Sequence, residues 1–284
     1  MYILISQSLI NGILAGMIYA LIASGFTLLY GNAGVLFFAI GEVFMLGAVL
    51  LYCLIEGMSI SYFLGVVIVM ALLGTFGMFL ERAIFRRLTG NDLTFAIGSL
   101  ALGMLITGIV LKTFGERGKG LITPFPGSFK ITGLVIAYDK LIVVGVGLVV
   151  IVALHLFFSF TKTGRAIRAV AQDVEAAQLM GVEVFRVKSL TFFLALAVAG
   201  LAGALVAPLY YVDAFMGTPV LMTALIVVVL GGLGSFPGAV IGGLVIGVLE
   251  NIGQTFLGGT TTLLLFMIVI VMLILRPEGL FANE

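Results

Sequence analysis

Apolar runs of about 20 residues, each long enough to cross a bilayer as a helix, recur along nearly the whole chain. They fall near 6–30, 34–55, 60–80, 93–113, 140–160, 189–211, 219–235, 237–255 and 259–275. This pattern predicts a single all-α membrane domain over residues 1–284, a polytopic bundle of about eight to nine spans. Some segments are expected to be broken or re-entrant, entering and leaving on one side.

Three stretches depart from simple spans. Residues 31–47 form an apolar run that nevertheless holds Asn32, Glu42 and the glycines Gly31, Gly34, Gly41 and Gly47. Residues 114–138 make an outer loop with Pro124 and Pro126, and its alternating tail (Phe129, Ile131, Thr132, Val135, Tyr138) reads as a short strand or hairpin. Residues 231–243 are a glycine-rich breaker between two spans. Irregular backbone at membrane depth is tolerated only where protein or a water-filled cavity satisfies it. Both glycine-rich breaks are therefore candidates for lining a pathway, with Asn32, Gly41, Glu42, Gly234 and Ser235 as the residues to examine. Gly31-x-x-Gly34 and Gly231-x-x-Gly234 sit at comparable places in the two halves, a hint of an internal repeat.

Composition sharpens the class. Of 284 residues, 62% are hydrophobic and 10% charged, against about 25% charged in a soluble domain. The mean hydropathy is +1.32, so lipid must be a large part of the solvent. A net charge of +1 argues against nucleic acid as a partner, and the single Cys53 excludes an internal disulfide framework. Met1 to Ile5 carry no basic region and no cleavage site follows, so the first apolar run reads as a retained span. Lys and Arg concentrate on cytoplasmic loops. With Arg82, Arg86, Arg87, Lys162, Arg165, Arg168, Arg186, Lys188 and Arg276 placed inside, nine crossings put the N-terminus outside and the C-terminus inside. Lys112, Arg117, Lys119, Lys130 and Lys140 then lie outside.

The cytoplasmic loop 161–188 holds 8 of the chain's 27 charged residues, and Gly164 and Gly181 bound a predicted helix with Thr163 as its N-cap. At helical spacing Ile167, Val170, Ala171, Val174 and Ala177 share one face. Arg165, Arg168, Gln172 and Glu175 share the other, Leu179 projects among them, and Gln178 is the exception on the apolar side. Such a helix either joins two spans along the membrane surface or offers a polar ridge with an apolar knob to a groove on another protein.

The order Gly164-Arg165-Ala166-x-Arg168-Ala169, then Asp173, Ala176-Ala177 and Gly181, resembles the coupling loop of the LivH-type permeases of branched-chain amino acid ABC transporters. Gly41-Glu42-Val43-Phe44-Met45-Leu46-Gly47 resembles that family's first block, although Phe37-Phe38-Ala39-Ile40-Gly41-Glu42 lacks the usual Asn and His. Residues 231–238 resemble its late glycine loop, and Arg276-Pro277-Glu278-Gly279-Leu280-Phe281 its ending. The resemblance covers essentially the whole chain. It implies an importer subunit of a bacterial-type inner membrane that passes branched-chain or other hydrophobic amino acids. It also implies, as partners, a second related permease in a heterodimer, two ATP-binding subunits and an external solute-binding protein. The coupling residues it implies are Gly164, Arg165, Arg168, Gln172, Asp173, Glu175, Ala177, Leu179 and Gly181. Urea, amide and aromatic-acid importers share the same blocks.

No catalytic site is expected. The chain lacks a phosphate-binding loop, the nearest run placing Gly120 where Ser or Thr is needed. No cofactor is expected on this chain; ATP and Mg would be used by the partner ATPase subunits. No metal site is expected either, because His155 stands alone in an apolar run. Charge at the bilayer centre costs at least about 2.5–3.5 kcal/mol, so Glu42 must face a pathway or serve as a carboxyl bonded between helices, and Asn32 presents the same choice. Asp213, beside Tyr210 and Tyr211, reads as an interface residue, and Glu250 and Asn251 as the end of a span. Gly12-x-x-x-Gly16, Gly238-x-x-x-Gly242 and Gly243-x-x-x-Gly247 predict close helix contacts. An ion-gradient-driven transporter of a small polar solute is the other class the pattern admits, with Glu42 at its centre.

Overall fold

The computed structural model describes residues 2–34, 36–88, 91–122, 125–131, 134–275 and 279. Nearly all of them are helical. The elements are α1 (Tyr2–Ala33), α2 (Ile40–Tyr52), α3 (Tyr62–Leu80), α4 (Arg86–Leu88), α5 (Asp92–Phe114), α6 (Tyr138–Phe160), α7 (Lys162–Gln172), α8 (Val174–Leu179), α9 (Val184–Val206), α10 (Gly217–Gly231), α11 (Phe236–Leu257) and α12 (Thr261–Leu275). Two wide π turns, Cys53–Gly57 and Glu81–Phe85, extend α2 and join α3 to α4. The predicted outer hairpin is present as β1 (Ser128–Ile131) and β2 (Leu134–Ala137), antiparallel with Ser128 opposite Ala137. The C-terminal block from Arg276 to Pro277 and Glu278, and Pro124 in the outer loop, lie outside the described residues.

Among the described residues, seven helical runs are long and apolar enough to cross a membrane. The nine apolar segments of the sequence map onto these with two adjustments. The last run, 236–272, folds back at Gly258–Thr260, where Gly258 adopts φ +60° and Thr261 comes to rest against Gly253. It therefore supplies two segments, α11 and α12. By contrast α10 has 15 residues, about 22 Å at 1.5 Å per residue, short of the roughly 30 Å hydrocarbon core. It starts at Gly217, which packs on Gly41; the neighbouring Glu42 faces Gly103, midway along α5. The expected half-helix is thus α10, entered from a non-helical stretch at 207–216.

Close approach of small residues holds the centre together, as expected where lipid removes the hydrophobic drive between helices. α1 and α11 form the most extensive antiparallel pair. Gly12 and Gly16 lie on Val248 and Leu244, and Gly243 and Gly247 lie on Ala20 and Gly16, so a Cβ at any of the four would meet partner backbone. α2 crosses α9 with Gly47 on the Gly200 carbonyl and Gly203 on the Phe44 carbonyl. The residues most withdrawn from the surface belong to this centre: Ala20, Leu21, Ile22, Met45, Ala48, Leu196, Ala199 and Ala202. The periphery is apolar and exposed, as in Phe63, Leu72, Phe79, Met104, Val149 and Met267, which is the face a lipid solvent requires.

The two ends of the bundle differ in chemistry. At one end Glu81, Arg86 and Ser189 meet beneath an aromatic cluster of Phe37, Phe85, Phe95 and Phe192. α7 and α8 close that same end, and Arg and Lys cluster there as the rule for cytoplasmic faces expects. At the other end Lys119 Nζ sits 4.1 Å above the Phe114 ring, Tyr52 packs on Phe114, and Lys119 bridges the backbone of Val212. Gln7 there exchanges hydrogen bonds with the Val135 backbone of the hairpin, 3.1 and 3.2 Å. The alternation of helix ends places the start of α1 with this outer group and the end of α12 with the inner one.

Candidate functional site

The predicted amphipathic helix over 164–181 is two helices. Thr161, and not Thr163, caps the first: its Oγ1 accepts from the Gly164 amide at 2.9 Å and donates to the Phe157 carbonyl at 2.7 Å. Gly164 consequently lies in the first turn, where any Cβ would strike the last turn of α6 at Phe157 and Phe158. The break comes at Asp173 (φ −153°, ψ 113°), whose Oδ1 accepts from the amides of Glu175 and Ala176 at 2.8 and 3.0 Å. A carboxylate able to satisfy two free amides favours starting a new helix over continuing the old one. Gly181 then ends α8 with φ +81°, the left-handed position predicted for it.

This geometry sorts the coupling residues. Ile167, Val170 and Ala177 are buried against the bundle, while the break leaves Ala171 and Val174 of the predicted apolar face exposed. Arg165, Arg168, Gln172, Asp173 and Glu175 are exposed together on the opposite side. Leu179 and Met180 are 89% and 85% exposed at the tip of α8. α7 touches α1, α6 and α9, and α8 touches α9. A force applied to this ridge therefore reaches three helices of the bundle through short contacts.

The proposed pathway residues do not gather at one place. Gly41 is pressed on Gly217, and the Glu42 carboxyl faces Gly103, where an added Cβ would lie 3.1 Å from Oε2. The chain at 36–39, just ahead of them, is non-helical and largely buried; its Phe38 amide donates to Ser99 Oγ at 3.1 Å. This is irregular backbone satisfied by protein, as membrane depth demands. Gly234 and Ser235 lie elsewhere, on a cavity of about 240 Å3 beside α7 that also includes Thr27, Gly31, His155 and Arg168. Ser235 caps α11, accepting from the Gly238 amide at 3.2 Å. The Asn32 side chain falls outside the described residues, although its backbone belongs to α1.

A larger cavity, about 490 Å3, opens between α1, α10, α11 and the stretch after α9. Its polar wall is Tyr19, Tyr210, Tyr211, Asp213, Glu250, Asn251 and Gln254. In the sequence alone Glu250 and Asn251 read as the end of a span and Asp213 as an interface residue. Their signal was present: Glu250, Asn251 and Gln254 share one side of an otherwise apolar helix, and such a polar stripe is costly unless it faces water or a partner. What concealed it was the uncertain length of the last spans, which made the stripe look like a helix end.

Comparison with known proteins agrees with this arrangement. The family model for the permease component of branched-chain amino acid transport systems matches residues 8–275. The chain is 32% identical over 293 residues to the high-affinity branched-chain amino acid transport system permease protein BraD of Pseudomonas aeruginosa, covering 98% of this chain and 95% of that protein. It is 32% identical over 266 residues to the LivH permease protein of Escherichia coli, covering 88% and 86%. A probable LivH permease protein of Methanocaldococcus jannaschii is 24% identical over 250 residues, covering 85% and 79%. No solved structure matches the chain. A multi-pass helical bundle with a buried small-residue centre, a paired-helix ridge on its basic face and full-length similarity to these proteins belongs to the family of branched-chain amino acid transport system permease components.

Proposed function

We propose that the chain is the membrane permease subunit of an ABC importer in a bacterial-type inner membrane, passing branched-chain amino acids delivered by an external solute-binding protein. ATP hydrolysis in two partner subunits drives the cycle, and a second, related permease completes the pathway. The observation that carries this reading is the α7–α8 ridge: a solvated charged face ending in an exposed Leu179, yet anchored through Ile167, Val170 and Ala177 to the ends of the spans. Closure of the ATP-binding subunits would push this ridge, and its contacts with α1, α6 and α9 would turn the push into a rocking of the bundle. The permease itself forms and breaks no covalent bond; it alternates the side on which its cavity is open.

The test is affinity purification of the tagged chain from its native host in mild detergent. Recovery of ATP-binding subunits and a second permease is the expected result. Recovery of the chain alone, still moving solute in liposomes under an ion gradient, would transfer the central role to Glu42 and overturn the importer reading.

A further inference from the structure

The large outer cavity carries chemistry that the packing of the bundle does not call for. Its volume of about 490 Å3 falls within the range of about 300–1,000 Å3 usual for small-molecule sites. One side is apolar, formed by Ala15, Ile18, Phe44, Val206, Met216 and Val220. The other holds two carboxylates, Asp213 and Glu250, and no Lys, Arg or His is among the residues described there. Asp213 is already engaged, accepting from the Phe215 amide at 2.7 Å. Glu250 is bound less fully: beyond the adjacent Tyr19 hydroxyl, Oε1 has only a long contact of 3.4 Å from Gln254, and Oε2 is buried without a close hydrogen-bond partner. A buried acceptor left unsatisfied is costly, and the cost is larger for a carboxylate. The Tyr19 hydroxyl lies beside this carboxyl, and Asn251 and Gln254 bring amides to the same wall.

The geometry points to this cavity as the place where the chain holds its cargo during passage, with Glu250 as the counter-charge for the cargo's ammonium group. The inference rests on the amino-acid importer reading above and names the part of the cargo that this chain reads. An α-amino acid with an aliphatic side chain matches the cavity on three counts. Its ammonium meets Glu250, its carboxylate meets the tyrosine hydroxyls and side-chain amides, and its side chain meets the apolar wall. A carboxylic acid lacking the amine would be repelled by Glu250 and Asp213. Urea or a simple amide would gain no ion pair.

Leucine uptake decides the matter in a host strain deleted for this chain and complemented with wild type, Glu250→Gln, Glu250→Asp or Ala15→Phe. Assembly is checked for each by co-purification of the partner subunits. Glu250→Gln should lower the maximal rate by about tenfold or more, the equivalent of one charge-assisted hydrogen bond. The half-saturating concentration should stay nearly constant, because capture belongs to the external binding protein. Glu250→Asp, which keeps the charge, should recover much of the rate, and Ala15→Phe, which fills the cavity, should lose it. Wild-type rates for an assembled Glu250→Gln overturn the assignment of Glu250. If that variant fails to assemble, a wild-type rate for Ala15→Phe overturns the cavity itself. A deletion strain that takes up leucine as fast as its parent refutes the cargo reading, and this inference with it. Loss of uptake on deletion with Glu250→Gln unaffected refutes only the present assignment.

Discussion

At the cytoplasmic end of the α3–α9 pair, Glu81 is 2% exposed and its carboxyl is enclosed by polar neighbours. Arg86 donates to both carboxylate oxygens, at 3.1 and 3.0 Å, and again to Ser189 at 3.1 Å, and Ser189 in turn donates to Glu81. Removing one partner of a buried pair leaves the other uncompensated, which is worse than losing an exposed pair. Arg86→Ala should therefore lower the unfolding midpoint of the detergent-solubilised protein. Arg186→Ala, which breaks the exposed Arg186–Glu183 pair at 2.7 Å, should leave it nearly unchanged. Equal midpoints for the two variants would contradict a buried structural role for Glu81. A second residue-scale prediction concerns Gly203, where a Cβ would collide with the Phe44 carbonyl. Gly203→Ala should destabilise by about 1–3 kcal/mol, as overpacking does. Gly57→Ala, with nothing within 4 Å of the added methyl, is the matched control. Thermal unfolding followed by circular dichroism reads both.

At the scale of elements, the paired helices α7 and α8 are pinned to α6 at Gly164 and end on the exposed Leu179, which in the proposed importer makes them the lever. Leu179→Asp should leave the bundle folded, because the side chain touches little of it, and should reduce ATP-driven transport by about tenfold or more if it fills a groove in a partner, as buried apolar anchors do. Arg168→Glu should act in the same direction. Transport at the wild-type rate in both variants would remove the ridge from the coupling route. A helical stretch here was legible from its period and from Gly181 at its end, though not from Thr163 as its cap, and the outer hairpin was legible from its alternation. The split at Asp173 was not, although an Asp followed by Val-Glu-Ala-Ala is a helix start in its own right. A continuous apolar stripe through Ile167, Val170, Val174 and Ala177 outweighed it. Span ends were equally hard to place, because in lipid both the packing and the outward faces of a helix are apolar. The GxxxG positions escaped that ambiguity because small residues report contact directly, and all of Gly12, Gly16, Gly243 and Gly247 lie in the α1–α11 seam.

For the whole molecule, the arrangement of ends predicts a sidedness. Replacing the exposed Cys53 and introducing one cysteine at Leu179 or at Ile122 (81% exposed) gives two reporters at opposite faces. A membrane-impermeant maleimide added to intact spheroplasts should label the second and spare the first, and inside-out vesicles should reverse the pattern. Labelling of both from one side would break the proposed alternation. The candidate site divides along the same axis: the cargo cavity lies towards the outer face, and the ridge and the small cavity of Gly234 and Ser235 lie at the inner one. Between them, Gly41 packs on Gly217 and Gly203 on the Phe44 carbonyl. Motifs in the chain name residues at both ends of this axis, but the cavity wall is assembled from separate segments that only the fold brings together.

The central claim is that ATP hydrolysis in partner subunits, and not an ion gradient, drives an aliphatic amino acid through this chain. The most direct measurement is leucine accumulation by proteoliposomes that carry the purified assembly, with ATP and Mg enclosed and the solute-binding protein outside. The account predicts accumulation that requires enclosed ATP, persists when ionophores dissipate Na+ and H+ gradients, and is lost with Leu179→Asp. Accumulation without ATP that collapses when the gradients are dissipated would contradict it.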